Sequence, residues 1–328
     1  IDTIKQIETE ILELSARHGG QGRITDSLIE TIFATPTYNE CFKSVAVWMY
    51  FGGKNVFIQD ANSLAMSPPT LIEALTYLKE QFPSIERITS YARARTIAKR
   101  LSVENLTGIR KAGLTRLHLG LESGSDYILY YIQKGLTRED QIEAGRKVKE
   151  AGIELSEYVV LGLGGRAMWR EHALETAEAL NRINPDFIRF RTLKVLKTMA
   201  LYSKLTSGDF LMESDKEILA EERLLIENLD GITSTIKSDH ILNLLEDIAG
   251  TMPEDKEKML ATIDTFLALP PEEQLIYRFG RRSGIYRSLN DLRDELTHQR
   301  IKKAIREIED KEPGGAEKAI AILLENYI

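Results

Sequence analysis

Cysteine is almost absent: Cys41 is the only one in 328 residues. A single thiol excludes an internal disulfide. It also excludes an iron–sulfur cluster held by three or four thiolates of this chain alone. With no disulfide framework, a cytoplasmic location is the default expectation. Long hydrophobic runs are missing too. None approaches the ~18–20 residues of a membrane span, and no secretory leader is visible. Clustered positive charge is also lacking: Lys and Arg number 43 against 50 Asp and Glu, a net charge of −7, with an isoelectric point near 5.5. Counterion release from nucleic acid or an anionic membrane needs the opposite balance, so neither is expected as the main partner.

What is present suffices for a sizeable core, with 43% hydrophobic and 28% charged residues and a length that suits roughly one to three domains. Ile1, Ile4, Ile7 and Ile11 fall at helical spacing, so the chain opens inside an amphipathic helix. With no initiator Met and no leading strand, the start reads as lying inside a longer chain.

From residue 54 short apolar runs alternate with helical periods. Strands are expected at Val56-Phe57-Ile58, at Arg87 to Tyr91, at Arg116 to Leu121, over 154–161, and at Phe187 to Arg191. Helices are expected over about 68–81, 103–112 and 170–183, with Thr137-Arg138-Glu139-Asp140 starting another as a capping box. Lys111-Ala-Gly-Leu and Glu150-Ala-Gly-Ile echo each other one αβ unit apart, each ending a helix before a strand. Short right-handed crossovers then predict an α/β fold, a partial (βα)6 TIM-like barrel of parallel strands. Beyond residue 200 the pattern turns helical, with one short strand at 232–237. The expected division is a barrel core over 1–195 and a mainly helical region over 196–328.

Ligands of parallel barrels gather where strands end, because loop amides and helix N-termini converge there. The polar clusters of this chain sit at such ends: Asp60-Ala61-Asn62, Tyr91 to Arg93, Glu122-Ser123, Gly162 to Gly165, and Arg189 to Arg191. Period-2 alternation puts His118, Gly120 and Glu122 on one strand face and Leu117, Leu119 and Leu121 on the other. Each cluster also has a plainer reading. Glu122 could cap a helix, the glycines could serve only their turn, and Arg189 and Arg191 could bridge to Glu157 or Asp60. His118 could be a core histidine, Cys41 inert, and Arg278, Arg281, Arg282 and Arg287 a solvated face. The coincidence of five clusters at one end favours a site.

Several ordered runs carry a family likeness: Phe57-Ile-Gln-Asp-Ala-Asn-Ser-Leu, Arg87-Ile-Thr-Ser-Tyr-Ala-Arg, Leu119-Gly-Leu-Glu-Ser-Gly-Ser-Asp, Lys134-Gly-Leu-Thr and Tyr158-Val-Val-Leu-Gly-Leu-Gly-Gly. Together they resemble the radical S-adenosylmethionine superfamily, in its Elp3/MiaB/NifB-like branch of iron–sulfur oxidoreductases. The resemblance implies S-adenosylmethionine and a 4Fe–4S cluster as cofactors and a 5′-deoxyadenosyl radical made from them. It also implies a reduced flavodoxin- or ferredoxin-type electron donor. The substrate stays unknown.

By the same resemblance, Asp60, Ala61 and Asn62 stand where the methionine amino group is received, and Glu122 with Ser123 stands at the ribose. Gly162, Gly164 and Gly165 stand at the adenine, and Arg93 suits the methionine carboxylate. Tyr91, His118, Arg189 and Arg191 complete the expected cofactor pocket. The family's C-x3-C-x2-C loop is not in this chain, so the chain alone is not expected to be active. Two other classes stay open: a cluster-free module binding a nucleotide or metabolite, and a metal-assisted barrel hydrolase using Asp60, His118 and Glu122.

Overall fold

The computed structural model describes residues 1–325. Three helices come first: α1 (Asp2–Arg17), α2 (Asp26–Ala34) and α3 (Glu40–Tyr50). Side-chain caps set two of their starts, since Thr25 accepts the Leu28 amide and Asn39 the Phe42 amide. The strand–helix series then runs β1 (Asn55–Ile58), α4 (Pro68–Gln81), β2 (Arg87–Ala92), α5 (Ala94–Arg100), α6 (Val103–Lys111) and β3 (Leu114–Glu122). It continues through α7 (Asp126–Tyr131), α8 (Arg138–Glu150), β4 (Glu154–Leu161), α9 (Gly165–Ile183) and β5 (Phe187–Thr192). After α10 (Leu201–Ser207) and α11 (Asp215–Glu227) come β6 (Thr235–Lys237) and β7 (Gly250–Thr251). Four helices finish the described chain: α12 (Lys256–Leu267), α13 (Pro271–Arg282), α14 (Glu295–Glu309) and α15 (Gly315–Glu325). The expected capping box opens α8, with Thr137 and Asp140 each bonding the other's backbone. Asn184, left-handed at φ 47°, ends α9 just before Pro185. Helices α5 and α7 carry no signal strong enough to expect.

Among the described residues the strands form one sheet in the order β1-β2-β3-β4-β5-β6-β7. Pairing is parallel from β1 to β6, and β7 adds antiparallel. Strand order that never reverses puts every right-handed crossover helix on the same face, so the sheet must curl away from them. Ring contacts register the curl. Strands two apart in a flat sheet stand about 9.5 Å apart, yet Phe57 of β1 lies 5.8 Å from His118 of β3, centroid to centroid. Tyr91 of β2 and Tyr158 of β4 are likewise 6.4 Å apart. This is the expected partial barrel of parallel strands.

The leucines of β3 point outward and are fully buried under the helices. One hydrophobic core runs from Leu64 to Ala316, so sheet and core both continue past residue 195. The apolar stripe of α1 divides between two cores, with Ile4 packed against the main one. Ile7 and Ile11 join Leu28, Ile32, Phe42, Val45 and Ala46 in a separate small core with α2 and α3. Periodicity defines an apolar face but not which neighbour covers it, and α3 lies nearer. The tail arginines depart from a solvated face as well. Arg281 and Arg282 are only 2% and 1% exposed, and Arg282 meets Asp215 Oδ1 at 2.8 Å. Arg278 bridges Asp215 and Glu317; Arg287 alone of the four is exposed.

Glu157 faces the helices with Leu155 and Val159, on the opposite side of β4 from Tyr158, so it cannot serve the interior arginines. It is 1% exposed, and burial pushes its carboxyl up to about 8, with Lys134 and the Leu121 backbone opposing in part. The folded value is raised, so the native state keeps a proton that the unfolded chain loses above its ordinary carboxyl pKa. Stability therefore falls as pH rises from about 4.5 to about 8, by up to ~1.4 kcal/mol per pH unit. Glu157→Gln should remove that fall. Thermal melts across this range should show variant and wild type alike near the acid end and the variant increasingly more stable above it. Parallel curves would refute the assignment.

Candidate functional site

The interior ends of β1 to β4 open onto a cavity of about 620 Å³, within the usual range for small-molecule sites. Its wall includes Ala61, Tyr91, Arg93, His118 and Glu122, five of the residues expected there. Arg95, Gly120, Gln133, Lys134 and Tyr158 also line it.

Each arrives by a local cause. The β1 loop is stapled to the start of α5 by Asn62, whose Oδ1 accepts the Arg93 amide at 3.1 Å and whose Nδ2 donates to Thr96 Oγ1 at 2.9 Å. Asn62 thus shapes the rim without lining it. Asp60 is exposed in the adjoining turn. On β3, alternation delivers His118 and Gly120 inward, but pairing with β4 slips between Gly120 and Glu122. Glu122 closes the strand at φ +63°, a left-handed conformation that costs a non-glycine residue about 1–3 kcal/mol. The turn beyond is pinned from behind: Gly124 N donates to Thr176 Oγ1 at 2.9 Å and Gln141 Nε2 to Ser123 O at 2.8 Å. A side chain at Gly124 would fall 2.3 Å from the Glu175 carbonyl, which is why this turn needs glycine. Ser123 is buried and accepts the Ser125 amide, so it holds the turn and does not reach the cavity. The Glu122 carboxylate does, paired there with Lys134.

The glycine loop after β4 also turns away from the cavity. Gly162 donates its amide to Glu221 of α11 at 3.2 and 3.3 Å. Gly164 packs against the Met168 carbonyl, and Gly165, at φ +55°, lies against Leu211 and Phe210. These glycines make close backbone contacts and line no part of the cavity.

Arg189 and Arg191 stand beside the cavity wall. Their partner is Asp239, not Glu157 or Asp60: Arg189 Nη1 meets Asp239 Oδ2 at 2.5 Å and Arg191 Nη1 meets Oδ1 at 3.2 Å. Asp239 follows β6, and spacing along β5 cannot announce a partner 48 residues away. Burial pushes Asp239 up, but the two guanidinium groups outweigh it and leave its carboxyl below the usual value. Arg191 also covers the Tyr158 ring at 4.7 Å, and His118 stacks near the same ring at 5.5 Å. His118 is 6% exposed, with no partner for Nδ1 among the described residues. Burial first, then Arg189, Arg116 and Arg191, push its pKa down to about 4. The interior wall is therefore a neutral imidazole between tyrosines, backed by two guanidinium groups sharing one carboxylate. An orphaned ring nitrogen on a cavity wall suits a ligand that can donate to or accept from it.

Of the lining residues not anticipated, Tyr158 was within reach of alternation, which sends Ser156, Tyr158 and Val160 inward together. Lys134 belongs to one of the family-like runs, but nothing local ties it to Glu122. Arg95 follows Arg93 on α5, a helix that sequence pattern does not reveal.

The architecture is that of an open, singly wound barrel with its polar site at the strand ends. Residues 37–178, from just before α3 to inside α9, match the family model described as the Radical SAM superfamily. The tRNA uridine(34) acetyltransferase of Methanocaldococcus jannaschii is 26% identical over 110 residues, 33% of this chain and 20% of that protein. Its counterpart from Methanocaldococcus infernus is 24% identical over 119 residues, 36% and 22% respectively. The chain thus spans about a fifth of the curated relatives it matches. Among solved structures, an N-terminally deleted archaeal Elp3 from M. infernus superposes with a TM-score of 0.45 at 18% identity, covering 57% of this chain and 48% of that one. Coproporphyrinogen III oxidase (HemN) of Escherichia coli, described as a Radical SAM enzyme, gives 0.44 at 17%, covering 55% and 42%. Among the described residues no helix is long and apolar enough to cross a membrane.

Because Arg189 is the largest charged contributor to the low His118 pKa, Arg189→Gln should raise the His118 midpoint above about 4. It should stay below 6.5, since burial is the larger cause. A ring-proton NMR titration measures this, and an unmoved midpoint would contradict the electrostatic arrangement.

Proposed function

We propose that this chain is the barrel body of a radical S-adenosylmethionine enzyme and that its strand-end cavity receives S-adenosylmethionine. The observation that carries the reading is the Glu122 carboxylate facing that cavity from a strained strand end within the family-matched segment. A carboxylate accepts from two hydroxyls at once, which suits a ribose diol. Arg93, at the end of the neighbouring strand β2, suits the methionine carboxylate by a two-pronged ion pair. His118, neutral at physiological pH, stands on the wall of the same cavity.

The residues of this chain do not fit the second cofactor of the family. Cys41 is the single thiol and is exposed. Among the described residues no group of three His, Cys, Asp or Glu is placed to hold a metal. Cluster ligands in this reading come from cysteines other than those of this chain. When bound, the cluster would supply the electron for radical formation; what the barrel supplies is orientation and shelter. The substrate remains to be identified, and a reduced flavodoxin- or ferredoxin-type protein is the proposed donor. The cluster-free alternative, a nucleotide-binding module, rests on the same cavity beside a single cysteine.

Calorimetry separates the two. S-adenosylhomocysteine should bind this chain, and Glu122→Gln should weaken it by about tenfold to a hundredfold, as losing a charge-assisted hydrogen bond of ~1.5–3 kcal/mol implies. Unchanged affinity with a lowered melting temperature would make Glu122 a structural cap. Tight binding of ATP with none of S-adenosylhomocysteine would select the module.

A further inference from the structure

Behind the cavity wall lies a polar cluster that the sequence does not announce. His172 of α9 is fully buried between the end of β3, the loop after β4 and α11. Its Nδ1 lies 2.8 Å from Glu221 Oε1, and its Nε2 lies 3.2 Å from the backbone carbonyl of Glu122. Glu221 in turn accepts the Gly162 amide. Acceptors flank the ring on both sides, so it donates from both nitrogens, as an imidazolium beside a carboxylate. Burial opposes that charge, but Glu221 outweighs it and the His172 pKa is raised. The other acids facing Glu221 do not compete as anions. Burial, then the Glu221 charge, push Glu213 up to about 9 and Glu222 to about 8. Glu175 and the Arg166–Glu217 pair stand at the margin of the cluster.

The position of this pair gives it a task. The peptide carbonyl that His172 grips belongs to Glu122, the residue held at φ +63°, whose carboxylate turns into the cavity and pairs with Lys134. The amide that Glu221 grips belongs to Gly162, at φ +83° in the next strand-end loop. One buried pair therefore ties two neighbouring strand ends to α9 and α11, with a left-handed residue at each end of the link. A left-handed non-glycine backbone persists only where surrounding contacts over-determine it.

We propose that His172 and Glu221 are positioning residues for the cavity: by holding the Glu122 carbonyl and the Gly162 amide together they aim the Glu122 carboxylate at the ligand. The ligand side of this statement rests on the S-adenosylmethionine reading above; the clamp itself rests on the hydrogen bonds alone.

The test compares Glu221→Leu, Glu221→Gln and His172→Phe in the full chain, at a temperature where circular dichroism shows each folded. Glutamine keeps an oxygen for the Gly162 amide and offers its NH2 to a then-neutral His172, which still donates to Glu122. Leucine offers neither. Glu221→Gln should therefore bind S-adenosylhomocysteine within about threefold of wild type, whereas Glu221→Leu and His172→Phe should lose about tenfold or more. In a Glu122→Gln background the same two changes should cost less than about twofold, because the carboxylate they aim is already gone. Equal losses in both backgrounds, or a glutamine variant as weak as the leucine one, would overturn the positioning role. A ligand-free readout stands apart from the cofactor reading: in His172→Phe the amide resonances of Ser123 and Gly162 should shift together. If Glu122→Gln leaves binding unchanged, the cofactor reading fails while the clamp is judged on those resonances. If the resonances do not move, the clamp fails.

Discussion

Everything at the site depends on the sheet being wound in one direction only. Six parallel strands in sequential order force the helices to one face, and the other face has to close on itself. Alternation along each strand then divides the chain's side chains by chemistry. Leucines and isoleucines go out to the helices, while His118, Tyr158, Arg189 and Arg191 go in. A reversal of strand order would have put helices over both faces and left those polar residues nowhere to go.

Inside, burial sets the charge states as much as sequence does. His118 is a neutral imidazole because it is buried beside guanidinium groups. His172, more deeply buried, has its pKa raised because a carboxylate touches it. Burial lowers both histidines; at His118 the guanidinium groups add to it, and at His172 the Glu221 carboxylate outweighs it. Among the glutamates, burial pushes Glu157 up to about 8, and burial together with the neighbouring Glu221 charge does the same to Glu222.

The site also reaches beyond the segment that carries the family match. That segment ends at residue 178, inside α9, yet Asp239 neutralises the interior arginines and Glu221 holds Gly162. The helical region is therefore more than an appendage: it lends β6 to the sheet and acids to the barrel wall.

The order of strands and helices, the capping box at Thr137, and the inward face of His118, Gly120 and Glu122 were legible in the residues themselves. Periodicity and caps are local, and local signals survive in a linear string. The partners were not legible. Asp239 for Arg189, Lys134 for Glu122, and Glu221 for His172 and Gly162 lie from 12 to 59 residues apart, and many acids stood as available. The left-handed turn at Glu122 was invisible for the same reason, since nothing about a glutamate invites that backbone and only contacts from α8 and α9 sustain it. The amino-acid sequence by itself determined a singly wound barrel with polar strand ends. Only tertiary structure decided which of those polar groups meet, because that choice is made by strand curvature and helix packing acting across the chain.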